Sequence, residues 1–111
     1  MNIQKQSIGD KLILVLEGRL DTTTAPQLDA ELKKTIDGVK ELEFDFAKLK
    51  YISSAGLRVI LATQKVMNKQ GSMLLRNVND VIMEIFEITG FIDIFTFEES
   101  LESAETTKII A

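Results

Sequence analysis

The chain has 111 residues, 45% of them hydrophobic, which is enough to bury the core of one domain and argues against disorder. It contains no Cys and no His, so disulfides, thiol nucleophiles and a Ser-His catalytic pair are excluded, and the commonest metal ligand is missing. The net charge of −4, from 13 basic and 17 acidic residues, argues against a nucleic-acid partner. The sequence has no long apolar run and no signal-peptide pattern, so we expect a cytoplasmic protein with no membrane partner.

Hydrophobic periodicity predicts strands that alternate with helices along the chain. Residues 11–17 are apolar almost throughout, which is typical of a strand buried on both faces, and residues 18–21 are expected to leave that strand. In chain order the predicted strands are 3–8, 11–17, 39–46, 73–75 and 92–97. Three predicted helices end before Gly38, at Gly71 and at Gly90. A last helix is predicted to begin at 98–100 and to end near the C-terminus.

The helix that ends at Gly90 is expected to begin at Asn77 or Asn79, because Asn is a preferred N-cap residue. Its inward-facing residues are expected to be Val81, Ile82, Ile85 and Phe86. Strands that alternate with helices require crossovers, so the whole chain, 1–111, is predicted to be one α/β domain. We expect a mixed, largely parallel sheet of four to five strands with about four helices packed against it.

The most informative segment is the junction at residues 51–57, where a strand-like run ends in two small hydroxyl residues and a helical pattern begins. The first N–H groups of a helix have no intrahelical partner and favour an anion. Ser53 and Ser54 are therefore interpreted either as helix caps or as a switch at which a phosphate would be felt. Ala55 and Gly56 add no bulk, so a partner could approach the backbone closely there.

Two aspartates are candidates for the same site. In open α/β sheets, sites lie outside the carboxyl ends of strands, which is where the Ser53–Ser54 turn and Asp21 are expected. Asp21 and Asp45 are expected near the turn, where they would add like-charge repulsion to a phosphate. Each of them is equally well interpreted as a solvated carboxylate at a strand end.

Four local strings, taken in order, resemble the STAS domain and specifically the stand-alone bacterial anti-sigma factor antagonists. The resemblance covers essentially the whole chain, and it implies a STAS-like fold of the architecture given above. The strings are Gly18–Asp21, Phe44–Phe46, Tyr51–Leu57, and Thr89–Phe95 followed by Ser100–Ala104.

This resemblance implies a non-enzymatic regulator that binds an anti-sigma factor, which is also a serine kinase, and thereby frees the sigma factor. Phosphorylation of one serine at the central turn would release the partner, and a serine phosphatase would restore binding. Alignment on the Gly-Leu pair places that serine at Ser54, with Ser53 as the second choice. Ser53 departs from the family, which usually has Asp at that position. The implied partner-binding residues are Asp21, Asp45, Ser53, Ser54, Ala55, Gly56 and Leu57.

An alternative function of another class is a small-ligand module that binds a nucleotide and takes no part in partner switching. An enzyme with Ser54 as its nucleophile is the least favoured hypothesis, because no His is present to act as its base. No catalytic residue, metal or cofactor is expected.

Overall fold

The computed structural model describes residues 1–98, so the last predicted helix, beyond Glu98, lies outside the described residues. Along the described part of the chain, five strands alternate with three α-helices and one short 3₁₀ turn. The elements are β1 (Asn2–Ile8), β2 (Lys11–Leu20), α1 (Ala25–Thr35), β3 (Glu41–Ile52), α2 (Ser54–Gln70), β4 (Ser72–Arg76), α3 (Asp80–Thr89), a 3₁₀ turn (Phe91–Asp93) and β5 (Phe97–Glu98).

The strands form a single sheet in chain order, β1-β2-β3-β4-β5. The pair β1 and β2 is an antiparallel hairpin, and the pairs that follow are parallel. Each parallel connection carries one α-helix, because a chain that leaves one end of a strand must cross back to start the next strand in the same direction. The predicted α/β class and the mixed, largely parallel sheet are therefore confirmed.

The core lies on the sheet face that carries Leu14, Phe44 and Leu75, three residues that pair across neighbouring strands and are completely buried. The opposite face is less covered: Ile13 and Val15 of β2 are only half-buried there. The expectation that β2 is buried on both faces is thus wrong. The helices contribute their buried apolar residues to the core, including Leu28, Leu32, Ile60, Met67, Ile82 and Phe86.

The strand before the Ser-Ser junction is longer than predicted, because β3 continues to Ile52 and β2 continues beside it to Leu20. Two register shifts, between Val15 and Glu17 and between Gly18 and Arg19, keep the two strands paired. Gly18 adopts φ +105°, which favours glycine and fits such an irregularity. Residues 18–20 therefore stay in the sheet, where they pair with β3 as far as Ile52. The pairing of β3 with β4 ends earlier, at Asp45 and Arg76, so the Ser-Ser junction lies beyond the end of β4.

The C-terminal part of the described chain also departs from the prediction. Residues 92–97 were expected to form a strand, but Gly90 ends α3 with φ +78° and the chain turns at once into the 3₁₀ turn, so that β5 has only two residues. Val81, expected to face inward, is 59% exposed. The buried pair of α3 is Ile82 and Phe86, which leaves the neighbouring Val81 side chain about 100° away around the helix.

Candidate functional site at the start of the second helix

The turn between β3 and α2 is anchored on the last residue of β2. The N–H group of Ser53 donates to the carbonyl oxygen of Leu20 at 2.9 Å, and the N–H group of Leu57 donates to the carbonyl oxygen of Ser53 at 2.9 Å. Ser53 itself is extended, with φ −98° and ψ 175°. The first helical turn of α2 therefore begins at a fixed point on the end of the sheet.

The two serines of this turn have different environments. The Oγ atom of Ser53 accepts a hydrogen bond from the N–H group of Gly56 at 3.4 Å, so Ser53 is the N-cap of α2. Ser54 is the first helical residue and is exposed, and its hydroxyl has no hydrogen-bond partner among residues 1–98. Ser53 therefore has a structural role, whereas the hydroxyl of Ser54 is accessible from outside.

Ser53→Ala is expected to lower the free energy of unfolding by about 1 kcal/mol, because it removes the N-cap acceptor. Ser54→Ala is the matched control, and we expect it to change stability by less than about 0.5 kcal/mol, since an exposed hydroxyl without a partner is lost. Urea unfolding of both variants measures the difference. A larger loss for Ser54→Ala than for Ser53→Ala would contradict this division of roles.

The residues that follow Ser54 point progressively inward. Ala55 is half-buried, and Leu57 is only 3% exposed. Gly56 is buried, and a Cβ atom built on it would lie 2.7 Å from the Cγ of Leu20 and 2.9 Å from its carbonyl oxygen. Gly56 therefore offers no exposed backbone in this structure, contrary to the expectation that a partner approaches the backbone closely there. Gly56 is required because α2 begins directly against β2, and Leu57 belongs to the core.

Asp21 lies beside the anchored turn, since it directly follows Leu20. Its Oδ1 atom accepts hydrogen bonds from the N–H groups of Thr23 at 3.0 Å and Thr24 at 3.1 Å, and from the Thr24 hydroxyl at 3.2 Å. The guanidinium Nε of Arg19 lies 3.9 Å from Oδ2. The pKa of Asp21 is lowered, chiefly by the hydrogen bond from the Thr24 N–H group. Burial acts in the opposite direction, and smaller lowering contributions come from Thr23, the Thr24 hydroxyl and Arg19.

Asp21 therefore predicts a pH dependence of stability. A carboxyl whose pKa is lower in the folded state stabilises the fold above its ordinary pKa of 3.8, and this contribution is lost as the pH falls through the folded value. We expect Asp21→Asn to be less stable than the parent at neutral pH and the difference to shrink below about pH 4. Denaturant unfolding along a pH series measures it; a difference that stays constant from neutral to acidic pH would contradict the prediction.

Asp45 has a different structural setting. It is half-buried, and its Oδ1 atom accepts hydrogen bonds from the N–H group of Ala47 at 2.9 Å and from the side-chain amide of Asn77 at 3.0 Å. Asn77 has φ 59°, an uncommon conformation for a residue other than glycine. Asp45 thus fixes the connection between β4 and α3 to the middle of β3.

Asp45 does not lie near the turn, contrary to expectation. It pairs with Val15 of β2, whereas the turn lies beyond Leu20, the last residue of that strand. At about 3.3 Å per strand residue, this separates Asp45 from the turn by roughly 16 Å. Of the two predicted carboxylates, the structure brings only Asp21 to the turn, and like-charge repulsion between Asp45 and a phosphate on Ser54 is therefore weak in water.

Positive side chains, which the sequence analysis did not single out, flank the turn in the chain. Arg58 is exposed one helical turn after Ser54, and Lys50 is exposed near the end of β3. The guanidinium of Arg19 lies 4.6 Å from the centroid of the Tyr51 ring, across the β2–β3 pairing. The sequence shows that Arg58 is four residues, about one helical turn, after Ser54. The contact between Arg19 and Tyr51 depends on the pairing of β2 with β3, which the sequence does not show.

The described residues contain no group of acidic side chains that could hold a metal ion. None of the helices within residues 1–98 is long and apolar enough to cross a membrane. A separate groove of about 200 Å³ lies between α1 and α2, with Leu32, Ile36 and Val66 in its lining and Asp29 and Lys33 joined by an ion pair of 3.0 Å. This groove is formed by parts of both helices away from the Ser54 turn.

Comparison with known proteins gives a consistent result. The STAS domain profile matches residues 2–104. BtrV of Bordetella bronchiseptica, provisionally named an anti-sigma factor antagonist, is 39% identical over 106 residues, which cover 94% of this chain and 91% of BtrV. The anti-sigma-B factor antagonist of Staphylococcus aureus is 32% identical over 87 residues, which cover 77% of this chain and 81% of that relative.

Among solved structures, the anti-sigma factor antagonist SpoIIAA of Bacillus is similar in both its unphosphorylated and its phosphorylated form. The unphosphorylated form has a TM-score of 0.72 at 17% identity and covers 99% of each chain. The phosphorylated form has a TM-score of 0.73 at 18% identity, covering 97% of this chain and 99% of SpoIIAA. At such identities the likeness shows the fold, whereas the profile and the curated relatives show the family. The chain belongs to the STAS domain family and, within it, to the anti-sigma factor antagonists.

Proposed function

We propose that this protein is an anti-sigma factor antagonist whose α2 turn binds an anti-sigma factor, and that phosphorylation of Ser54 ends this binding. The observation that carries the proposal is the different state of the two serines: Ser53 caps α2, and Ser54 is exposed with no hydrogen-bond partner in the described chain. The names of the relatives support the same role. The protein would act as one domain in the cytoplasm, as a regulator and not as an enzyme.

The proposed partner is also a serine kinase. The γ-phosphoryl group of ATP would be transferred to the Ser54 Oγ atom, which loses its proton, and ADP would leave. A serine phosphatase would hydrolyse the phosphoserine and restore the free hydroxyl. The exposed position of Ser54 supports both steps, because each enzyme needs direct access to the Oγ atom.

The phosphate would change the surface without unfolding the domain. It adds nearly two negative charges and considerable bulk to a small neutral side chain. The N-terminus of α2 tolerates an anion because the first N–H groups of a helix have no intrahelical acceptor and the helix dipole is positive there. Arg58, exposed one turn away, adds a positive charge on the same helix. The inhibitory effect would therefore fall on the partner surface that previously packed against the neutral turn.

We propose that the partner contacts the accessible residues of the turn. Ser54 and Ala55 are accessible at the turn, and Asp21 is accessible beside it. Gly56 and Leu57 are buried, so they would act by placing the turn and not by touching the partner. Ser53 contributes as the N-cap, and Asp45 stabilises a region of β3 farther along the strand. We therefore propose a contact patch centred on Ser54.

Mapping of the phosphorylated residue tests the proposal. The protein is incubated with the anti-sigma kinase encoded in its own genome and with ATP, and the site is identified by mass spectrometry. We expect modification at Ser54, loss of modification in Ser54→Ala, and retained modification in the matched control Ser53→Ala. Modification that persists in Ser54→Ala and disappears in Ser53→Ala would assign the switch to Ser53 instead.

The structure does not favour nucleotide binding in the groove between α1 and α2. The lining of that groove is largely apolar, and the Lys33 ammonium at its edge is already paired with Asp29. The carboxylate of Asp29 would repel a phosphate. The partner-binding role has the support of the relatives' names, whereas the groove between α1 and α2 adds no support for a nucleotide.

A further inference from the structure

The outer side of α3 carries large apolar residues that no described part of the chain covers. Val81 is 59% exposed and Ile88 is 77% exposed; they are seven residues apart and thus lie on one side of the helix. Ile85, half-buried, lies between them. We call these three residues the α3 surface. Exposed apolar side chains that form a continuous stripe, unlike isolated ones, are typical of an interaction site.

The rim of the α3 surface is uniformly acidic. No Lys or Arg occurs between Asp80 and Glu98, whereas four carboxylates lie within or next to α3. None of these four carboxylates forms an ion pair within residues 1–98. They are Asp80, Glu84, Glu87 and Asp93. The apolar stripe is thus flanked on one side of α3 by carboxylates that form no ion pair within residues 1–98.

We infer that the α3 surface is a docking site for a protein partner that presents a basic amphipathic helix, with apolar residues along its centre and Lys or Arg at its edges. Charge complementarity selects this occupant: apolar side chains would cover Val81 and Ile88, and positive side chains would meet the acidic rim. A second copy of this chain, docked through its own α3, would place carboxylates against carboxylates. Such like-charge contacts are unfavourable, so self-association through this surface is not expected.

This docking site lies on a different helix from the proposed Ser54 switch. The side-chain amide of Asn79, the N-cap of α3, donates to the carbonyl oxygen of Leu49 at 2.9 Å and so fixes the start of α3 to β3. The charges around Ser54 are mixed: Lys50 and Arg58 are exposed, and the carboxylate of Asp21 lies beside the turn. The charged residues of α3 are all acidic, so the two surfaces differ in electrostatic character.

A pair of synthetic peptides tests the inference on the full chain. One peptide is an amphipathic helix of Leu and Lys; the other has the same length and pattern with Glu in place of Lys. Binding is measured by fluorescence anisotropy and located by amide chemical shifts. We expect the Lys peptide to bind at least about tenfold more tightly than the Glu peptide, with shifts concentrated on α3 and an affinity that falls as salt is added.

Variants make the location testable. The double variant Val81→Ser with Ile88→Ser is expected to bind the Lys peptide about tenfold or more weakly than the parent, because the apolar side chains at the centre of the surface are lost. Ile8→Ser is the matched control: Ile8 is also an exposed apolar residue, at 55%, but lies on β1, and its replacement should leave affinity unchanged. The variant Glu84→Gln with Glu87→Gln should reduce both the affinity and its salt dependence.

Several results would overturn the inference. Equal binding of the two peptides would show that charge does not select the occupant. Shifts centred away from α3, or an unchanged affinity in the Val81→Ser and Ile88→Ser protein, would place the contact elsewhere. Dimerisation of the parent chain that Ile88→Ser abolishes would make a second copy the occupant. Tighter peptide binding in Ile110→Ser than in the parent would indicate that the end of this chain competes for the same surface.

Discussion

Ser54→Asp is expected to weaken binding of the anti-sigma partner by more than about a hundredfold, which corresponds to roughly 3 kcal/mol. The substitution places a permanent negative charge at the first residue of α2, where the partner is proposed to pack against a small neutral side chain. Ser54→Ala keeps the surface small and neutral and should bind as tightly as the parent. Titration calorimetry with the purified partner measures both affinities.

The loss of binding by Ser54→Asp should occur without any loss of stability. An acidic side chain in the first turn of a helix interacts favourably with the unpaired N–H groups and the helix dipole, typically by about 0.3–1 kcal/mol. We therefore expect the variant to unfold at the same temperature as the parent or a slightly higher one. A stable protein that no longer binds would separate the effect on the interface from an effect on folding.

Ser72→Asp is the matched charge control. Ser72 is exposed and begins β4. Because β3 and β4 are parallel, the start of β4 lies at the opposite end of the strands from the Ser54 turn, which follows the end of β3. The substitution adds the same charge and should leave partner affinity unchanged. Equal affinity of Ser54→Asp and Ser54→Ala for the partner would refute the switch, and a similar weakening by Ser72→Asp would show that net charge, not position, is what the partner senses.

The sequence predicts best those features that depend on neighbouring residues. The helical pattern that begins at the Ser-Ser junction was predicted to end at Gly71, and α2 ends at Gln70 with Gly71 as its C-cap. The cap of α3 was narrowed to two asparagines, and the structure selects Asn79, whose side chain accepts from the N–H group of Ile82 at 2.9 Å. Caps and helical periods are local, so they leave a direct trace in the sequence.

Features that depend on strand pairing were not predictable in the same way. The extension of β3 to Ile52 requires β2 to continue through Gly18, with two register shifts that no local pattern encodes. The same pairing of β2 with β3 places Asp45 far from the turn. Both Asp45 and the turn lie in the sequence strings that resemble the STAS domain, so the strings alone did not reveal this distance. The outward position of Val81 likewise depends on which side of α3 meets the sheet. Pairing and packing between distant segments decided each of these outcomes.

The choice between two adjacent serines shows the same limit at the site. Both have a side chain that can cap a helix, and both stand at the predicted junction. The backbone of Ser53 is extended and its Oγ atom reaches the Gly56 N–H group, which leaves Ser54 as the first helical residue. A one-residue shift of the helix start would exchange their roles. That start is set by the bond from the Ser53 N–H group to Leu20, a residue of a distant strand.

Gly56→Ala is expected to destabilise the protein, although Ala is the better helix former. The substitution should gain up to about 1 kcal/mol in helix propensity. Against this, the new Cβ atom would lie 2.7 Å from the Leu20 Cγ atom, 2.9 Å from the Leu20 carbonyl oxygen and 3.0 Å from Ile52 Cγ1. Forcing a methyl group into such a packed site typically costs about 1–3 kcal/mol.

The Leu20 carbonyl cannot easily move aside, which determines the sign of the result. It accepts the Ser53 N–H bond that anchors the turn, and the Leu20 side chain is completely buried. The overpacking cost should therefore lie near the top of its range, and we expect a net loss of about 1–2 kcal/mol. Ala62→Gly is the matched control, because it makes the reverse substitution at an exposed position of α2. It should cost about 1 kcal/mol through propensity alone.

These two variants together distinguish a packing requirement from a direct contact with the partner. If Gly56 only served a partner that packs on its bare Cα, Gly56→Ala would be more stable than the parent by roughly the amount that Ala62→Gly loses. We expect both variants to be less stable, since the Gly56 Cα faces Leu20 and not the solvent. Any loss of partner affinity in Gly56→Ala should then come with a displaced Ser54, visible as altered amide shifts in the first turn of α2. Weaker binding with unchanged stability and unchanged shifts would restore Gly56 to the interface.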